Sequence, residues 1–225
     1  MSQSLKKRKD TSKADRLIEA AELLYGRHGL EGVSLRQICA AAGSGDNYAV
    51  QYHFGDADGL IRAIFARRIP DLEMRRAQRL VQLKEAGAPT THELLDCLFR
   101  PAIECRDIHG VRVHAQFELA LLCSPKGAQY HDDVLKLMPI TQEILGLLRR
   151  TNPHLSAPFI WYRMQLISTL VFSSVCVRFT PYDASSFDKA MIENALDMAT
   201  AAIVAPVGSE TEEMMKSVVA LHSRK

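Results

Sequence analysis

An all-α fold is what this sequence predicts, on three observations. Apolar residues recur with the 3.6-residue helical period along most of the chain, strict apolar–polar alternation is nearly absent, and glycine and proline clusters cut the chain into helix-sized segments. That punctuation gives about nine helices.

The first spans Ala14 to Arg27, with Leu17, Ile18, Ala21, Leu24 and Tyr25 on one face, and a glycine-containing connection follows. Ser34 opens the second with a capping box, because Gln37 stands three residues on, and Gly43 and Gly45 end it. The third covers about Asn47 to Phe54. Asp56 is placed to cap the fourth, which carries Leu60, Ile61, Ile64, Phe65 and Ile69 and then meets Pro70. Proline removes a helical hydrogen bond and crowds the preceding turn, so a kink or break is expected there, with helix continuing to about Glu85. Thr90 and Glu93 form a second capping box heading a helix that runs to Cys105. Val111 to Cys123, Asp132 to Arg150, Ala157 to Phe179 and Ser185 to Val204 follow, each stopped by a segment containing proline. A short further helix is expected around Met214 to Leu221. The natural boundary lies inside the fourth helix near Pro70, dividing the chain into residues 1–65 and 66–225.

With 225 residues and a net charge of +2, the chain can bury a sizeable core, and its overall charge implies no polyanion partner. The distribution says more. Lys6, Lys7, Arg8, Lys9, Lys13 and Arg16 face only Asp10 and Asp15, a block that reads either as a solvated tail or as an arm lying along phosphates. Cys39, Cys97, Cys105, Cys123 and Cys176 form no CxxC pair and fit reduced thiols in a cytoplasmic protein. The N-terminus lacks the apolar stretch of a secretory signal, and Met164 to Val177 is too short to span a bilayer, so no membrane partner is expected. No phosphate loop, dinucleotide fingerprint or nucleophile elbow is present. His109, His114 and His131-Asp132-Asp133 have no metal-ligand spacing and read as solvated loop residues, so no metal, cofactor or catalytic group is expected.

Ser34 to Phe54 is the segment richest in function. Ala40, Ala41 and Ala42 allow two helices to approach closely, Gly43 can take the left-handed conformation that ends a helix, and Ile38, Val50 and Phe54 are placed to pack the corner. The third helix then displays Asn47, Tyr48, Gln51, Tyr52 and His53, side chains able to reach base edges and phosphates. Spacing alone favours a plain helical hairpin, since short helices joined by glycine turns are common.

Taken in order, Ala20-Ala21, Leu24-Tyr25, Gly29, Ser34-Leu35, Ile38, Ala42-Gly43, Tyr52-His53-Phe54, Leu60 and Ile64 give the first 65 or so residues a resemblance to the DNA-binding domain of the TetR (tetracycline-repressor-like) transcriptional regulators. The remainder resembles that family only in length and helix count. The resemblance implies DNA contacts from Ser34, Arg36, Gln37, Ser44, Asp46, Asn47, Tyr48, Gln51, Tyr52 and His53, with Lys7 and Lys9 of the basic arm adding phosphate affinity. The sequence also departs from the family. Ser44-Gly45-Asp46-Asn47 lengthens the turn by one residue, so that Asp46 or Asn47 caps the reading helix. Gln51 stands where a tyrosine is common, and Ala57 where a phosphate-contacting lysine is frequent. Backbone N–H groups at the start of the fourth helix remain available to a phosphate, with Asp56 and Asp58 weakening that role.

The resemblance further implies a homodimer on double-stranded palindromic operator DNA, built on the last two large helices through Leu166, Ile167, Leu170, Val171, Val175, Met191, Leu196 and Ile203, which would equally fit the core of a single chain. It also implies a small-molecule effector held among the middle helices. Arg100, His114, Phe117, Glu118, Trp161 and Met164, with Gln116 and Tyr162 beside them, are polar or aromatic within apolar periodicity and are the candidate ligand contacts for an apolar or aromatic effector. The expected function is thus a ligand-responsive repressor. The alternatives are a helical dimeric interaction module without specific DNA binding and an all-helical enzyme acting on a small apolar substrate.

Overall fold

A computed structural model describes residues 12–107, 109–176 and 184–214. Ten of the helices among them are numbered: α1 (Lys13–His28), α2 (Leu35–Ala41), α3 (Ala49–Phe54), α4 (Ala57–Ala86), α5 (Thr91–Glu104), α6 (Val113–Leu122), α7 (Gly127–Leu135), α8 (Pro139–Thr151), α9 (Ala157–Cys176) and α10 (Ala184–Val204). No strand occurs among the described residues, so the all-α expectation holds. The backbone is helical again at 209–214, and most of the tail helix expected at Met214 to Leu221 lies outside the described residues. So do Lys7 and Lys9 and the end, beyond Cys176, of the helix expected from Ala157 to Phe179.

Both expected capping boxes form. Ser34 Oγ accepts the Gln37 N–H at 3.3 Å while Gln37 Oε1 accepts the Ser34 N–H at 2.8 Å, and Thr90 and Glu93 repeat the arrangement at α5.

At two prolines the helices depart from expectation, in part at one and fully at the other. α4 continues through Pro70 to Ala86, so the break does not occur and the helix reaches the expected end near Glu85. Pro70 is exposed, as is Ala66 one turn earlier, so water can satisfy the carbonyl that the proline leaves without a donor. The single helix expected from Asp132 to Arg150 is two helices, with Pro139 at the first turn of α8. There the missing N–H costs nothing. The N-cap residue of α8, Met138, has no capping side chain; instead Glu73 of α4 accepts the Ile140 N–H at 2.7 Å. Glu73 also accepts from Thr141 Oγ1 at 2.6 Å, and Arg76 donates to that hydroxyl at 3.0 Å. A buried acid on one helix thus caps another, satisfying orphan amides at the positive end of its dipole.

Two apolar clusters make the interior. One joins α1 to α4 through Leu17, Ile38, Val50, Leu60 and Ile64, and takes in Phe117, Leu121, Tyr130 and Val134 from α6 and α7. The other joins α5, α8, α9, α10 and the second half of α4. The seam between them crosses α4 at Pro70, since Ile69 belongs to the first cluster and Leu72 to the second. α1 and α6 press together most closely. A Cβ on Gly26 would stand 2.9 Å from the Gln116 Cβ and 3.0 Å from the Phe117 amide, so the helices meet where glycine leaves room.

α9 is long and apolar enough, by length and composition, to cross a membrane. It packs against α5, α6 and α10, burying Ile160, Ile167, Val171 and Phe172. Apolarity on most sides is what such a core helix requires.

Candidate functional site

The α2–α3 corner is built from the inside out. Ile38 and Val50 are fully buried, Ala49 and Cys39 nearly so, and Phe54 packs half-buried against them. Gly43 turns the chain at φ 67°. The lengthened turn is held by its own side chains. Ser44 Oγ accepts the Asp46 N–H at 3.2 Å, and Asp46 Oδ1 accepts the Tyr48 N–H at 2.8 Å. The N-cap position of α3 is Tyr48, which makes no side-chain cap bond, so neither Asp46 nor Asn47 caps the helix as expected, and Asp46 instead holds the amide of the N-cap residue.

This α3 has only six residues, and it buries two, Ala49 and Val50. Gln51 and His53 are exposed, and Tyr48 and Tyr52 are 71% and 84% exposed. The Tyr52 and His53 rings meet edge to face at 5.0 Å. Ser34, Arg36, Gln37, Asp46 and Asn47 are exposed around it, and Ser44 is half-buried. Two tyrosines standing in solvent beside a packed corner are an uncommon disposition for a surface with no partner. α3 itself carries no lysine or arginine. At the start of α4, Asp56 Oδ1 caps the helix by accepting the Gly59 N–H at 2.7 Å. Asp58 accepts the Tyr130 hydroxyl at 2.5 Å, which ties α7 to this turn. Of the amides open to a phosphate at the head of α4, that of Gly59 is therefore taken by Asp56.

A second site lies at the seam. A cavity of about 170 Å³ opens between α4, α5, α6, α7, α8 and α9. Four of the six expected ligand contacts line it: His114, Glu118, Trp161 and Met164. The other two do not. Arg100 is drawn to Asp96 and to Glu193 of α10, and Phe117 sits in the α1–α4 cluster against Phe65. Gln116 backs onto α1, and Tyr162 lies in a separate groove with Leu166 and Ala202.

The cavity's polar end corrects the view of His114 and His131 as solvated loop residues, whereas His109 does stand exposed in a turn. His114 is 1% exposed on α6, and His131 is half-buried on α7. His114 Nδ1 stands 3.1 Å from Glu22 Oε1 of α1. Arg68 of α4 grips the same carboxylate through Nε at 2.8 Å and Nη2 at 2.6 Å. Burial pushes the Glu22 carboxyl up, but the hydrogen bonds from His114 and Arg68 more than offset it, leaving it below the ordinary carboxylate value. Glu118 follows the same logic, with burial opposed by the His131 Nε2 contact at 3.0 Å and the nearby His114 and Arg76, and it too is held below the ordinary value. Sequence spacing could not show this cluster, because Glu22 and His114 lie 92 positions apart. No cluster suited to a metal ion occurs among the described residues.

A face of α9 and α10 is apolar and open. Tyr162 and Leu166, one turn apart, are 56% and 55% exposed, and Met198 is 51% exposed. Ile167, Val171, Leu196 and Ile203, which the sequence also offered to a dimer face, are buried within the chain.

No protein-family model and no curated protein matches this chain. Solved structures do. A candidate TetR-family transcriptional regulator from Rhodococcus sp. is 15% identical, over 84% of this chain and 98% of its own, with a TM-score of 0.48. A second candidate TetR-family regulator, from Mesorhizobium loti MAFF303099, is 16% identical over 85% and 95%, with a TM-score of 0.41. A candidate transcriptional regulator from Rhodococcus sp. RHA1 is 21% identical over 84% and 91%, with a TM-score of 0.34.

Proposed function

We propose that this chain is a TetR-like, ligand-responsive transcriptional regulator that binds a palindromic operator as a homodimer and is released by a small molecule. The observation that carries this reading is the exposed row Tyr48, Gln51, Tyr52 and His53 on a short helix braced by the buried Ile38–Val50 corner. Gln51 can pair with adenine, while hydroxyls and His53 suit phosphates. The basic arm at Lys6 to Lys13 supplies the positive charge that α3 lacks.

The open α9–α10 face around Tyr162, Leu166 and Met198 serves as the dimer contact. A two-fold pair would set two reading helices about one turn of DNA apart, or a multiple of it. The cavity holds the effector. His114 connects the two halves, because one ring nitrogen binds Glu22 of α1 and the ring lines the cavity from α6. A ligand that displaces His114 would loosen the hold on α1 and shift the protein toward a shape that binds DNA less well.

Fluorescence anisotropy on the DNA upstream of the protein's own gene tests the reading, with Gln51→Ala and Tyr52→Ala as variants. Both should weaken specific binding more than non-specific binding, and equal losses on all DNA would count against base reading. The buried His114–Glu118–His131 group favours one second reading, an enzyme using it as acid and base. Chemical turnover of a bound compound would establish that reading in place of the first.

A further inference from the structure

The charged side chains of the cavity wall are already engaged. Arg68 donates twice to Glu22, at 2.8 and 2.6 Å. Arg76 donates to the Leu98 carbonyl and to the Thr141 hydroxyl, each at 3.0 Å, and stands 3.4 Å from Glu73. Glu118 has His131 Nε2 at 3.0 Å, His114 Nε2 at 3.4 Å and the charge of Arg76 nearby. Asp132 also lines the cavity but is exposed, so water solvates it. A ligand ion would shed its hydration without meeting a free counter-charge, or would have to break a pair already made.

Two neutral side chains differ. Gln165 and Ser168 of α9 line the cavity half-buried, and neither side chain makes a hydrogen bond among the described residues. Trp161, Gln165, Ser168 and Phe172 recur at helical spacing and all four line the cavity, so one face of α9 forms this wall. The amide offers donors and an acceptor, and the hydroxyl serves as either.

We infer that the cavity takes an uncharged ligand, an aromatic or aliphatic body bearing a hydroxyl, carbonyl or amide group that hydrogen-bonds to Gln165 and Ser168. This rests on the effector reading of the cavity and narrows its ligand class. Leu72, Phe99, Met164 and Phe172 offer an apolar bed for the body. A neutral polar group loses little hydration on entry and recovers it from the α9 wall, whereas an ion loses far more and recovers none.

The test uses the full chain and four probes of one shape: 4-phenylbutan-1-ol, butylbenzene, 4-phenylbutylamine and 4-phenylbutyrate. Trp161 is the chain's single tryptophan and lines the cavity, so its fluorescence reports occupancy, with calorimetry as a check. The alcohol should bind at least about tenfold more tightly than either ion. Gln165→Met keeps the side chain's length and removes its donors and acceptor. It should weaken the alcohol by about three- to tenfold and change butylbenzene by less than about twofold. An ion that binds as tightly as the alcohol, an alcohol affinity that Gln165→Met leaves unchanged, or a loss that butylbenzene shares in full overturns the inference while leaving an effector cavity in place. If none of the four binds, both the inference and the effector reading of the cavity fall. The wild-type ranking stands on its own should the variant fail to fold.

Discussion

Glu22 of α1 and His114 of α6 lie 3.1 Å apart, each 1% exposed, and Arg68 of α4 closes on the same carboxylate. Three helices that share little else in sequence meet on one buried acid. Removing one partner of such a group leaves the other charges uncompensated. Glu22→Ala should therefore destabilise the fold by about 3–5 kcal/mol in urea unfolding. Glu19→Ala, which removes an exposed partner of Arg67 on the same helix, should cost below about 1 kcal/mol.

The same acids set an acid limit. Glu22 and Glu118 are held below the ordinary carboxylate value of 4.5 by the groups described above, and Asp188 is held below 3.8 chiefly by the hydrogen bond from Arg112. A carboxyl whose value is lowered by folding stabilises the native state above its unfolded value and loses that contribution as pH falls through the folded one. Stability from these groups should be flat above the ordinary carboxylate range and drop steeply within and below it. In Glu22→Gln the drop should be shallower, as measured by urea midpoints between neutral and acid pH.

The close meeting of α1 and α6 at Gly26 admits no side chain without movement. Gly26→Val should force the helices apart and cost about 1–3 kcal/mol by overpacking, read in thermal unfolding. Because this contact joins the reading head to the cavity-bearing helix, operator affinity should also change more than it does in an exposed α1 variant such as Arg27→Ala.

Pro70 sits on the exposed side of an unbroken helix, at the seam between the two apolar clusters. Proline in a helix interior is less favourable than alanine by up to about 3 kcal/mol. Pro70→Ala should raise the unfolding midpoint, and if the seam bends when effector binds, it should also blunt effector-driven release from DNA. Anisotropy with and without effector reads the second effect.

Much of the helical framework was legible in local signals. Ser34 with Gln37, Thr90 with Glu93 and Asp56 each announced a helix start that forms, because capping is settled within four residues. Pro139 misled because the same residue stops a helix or begins one, and the choice here is made by Glu73, more than sixty positions away. Pro70 does not break its helix because the cost depends on solvent access, which a sequence pattern does not display. Four of the six expected ligand contacts line the cavity, and the other two miss it for the same reason. Periodicity placed His114, Glu118, Trp161 and Met164 facing inward, whereas Arg100 and Phe117 also face inward but toward other neighbours. Glu22 was missed entirely, since nothing local distinguishes a buried glutamate from a solvated one.

The most direct measurement is titration of a labelled duplex from the protein's own upstream DNA at physiological salt, against excess unrelated competitor, with wild type and Tyr52→Ala side by side. Tyr52 is largely exposed, so its loss should leave stability within about 0.5 kcal/mol. Wild type should hold a complex that survives the competitor, and Tyr52→Ala should lose at least tenfold in specific affinity while keeping its non-specific binding. Wild-type binding that the competitor abolishes, or a Tyr52→Ala variant that binds as wild type does, would contradict the reading of α3 as the element that recognises DNA.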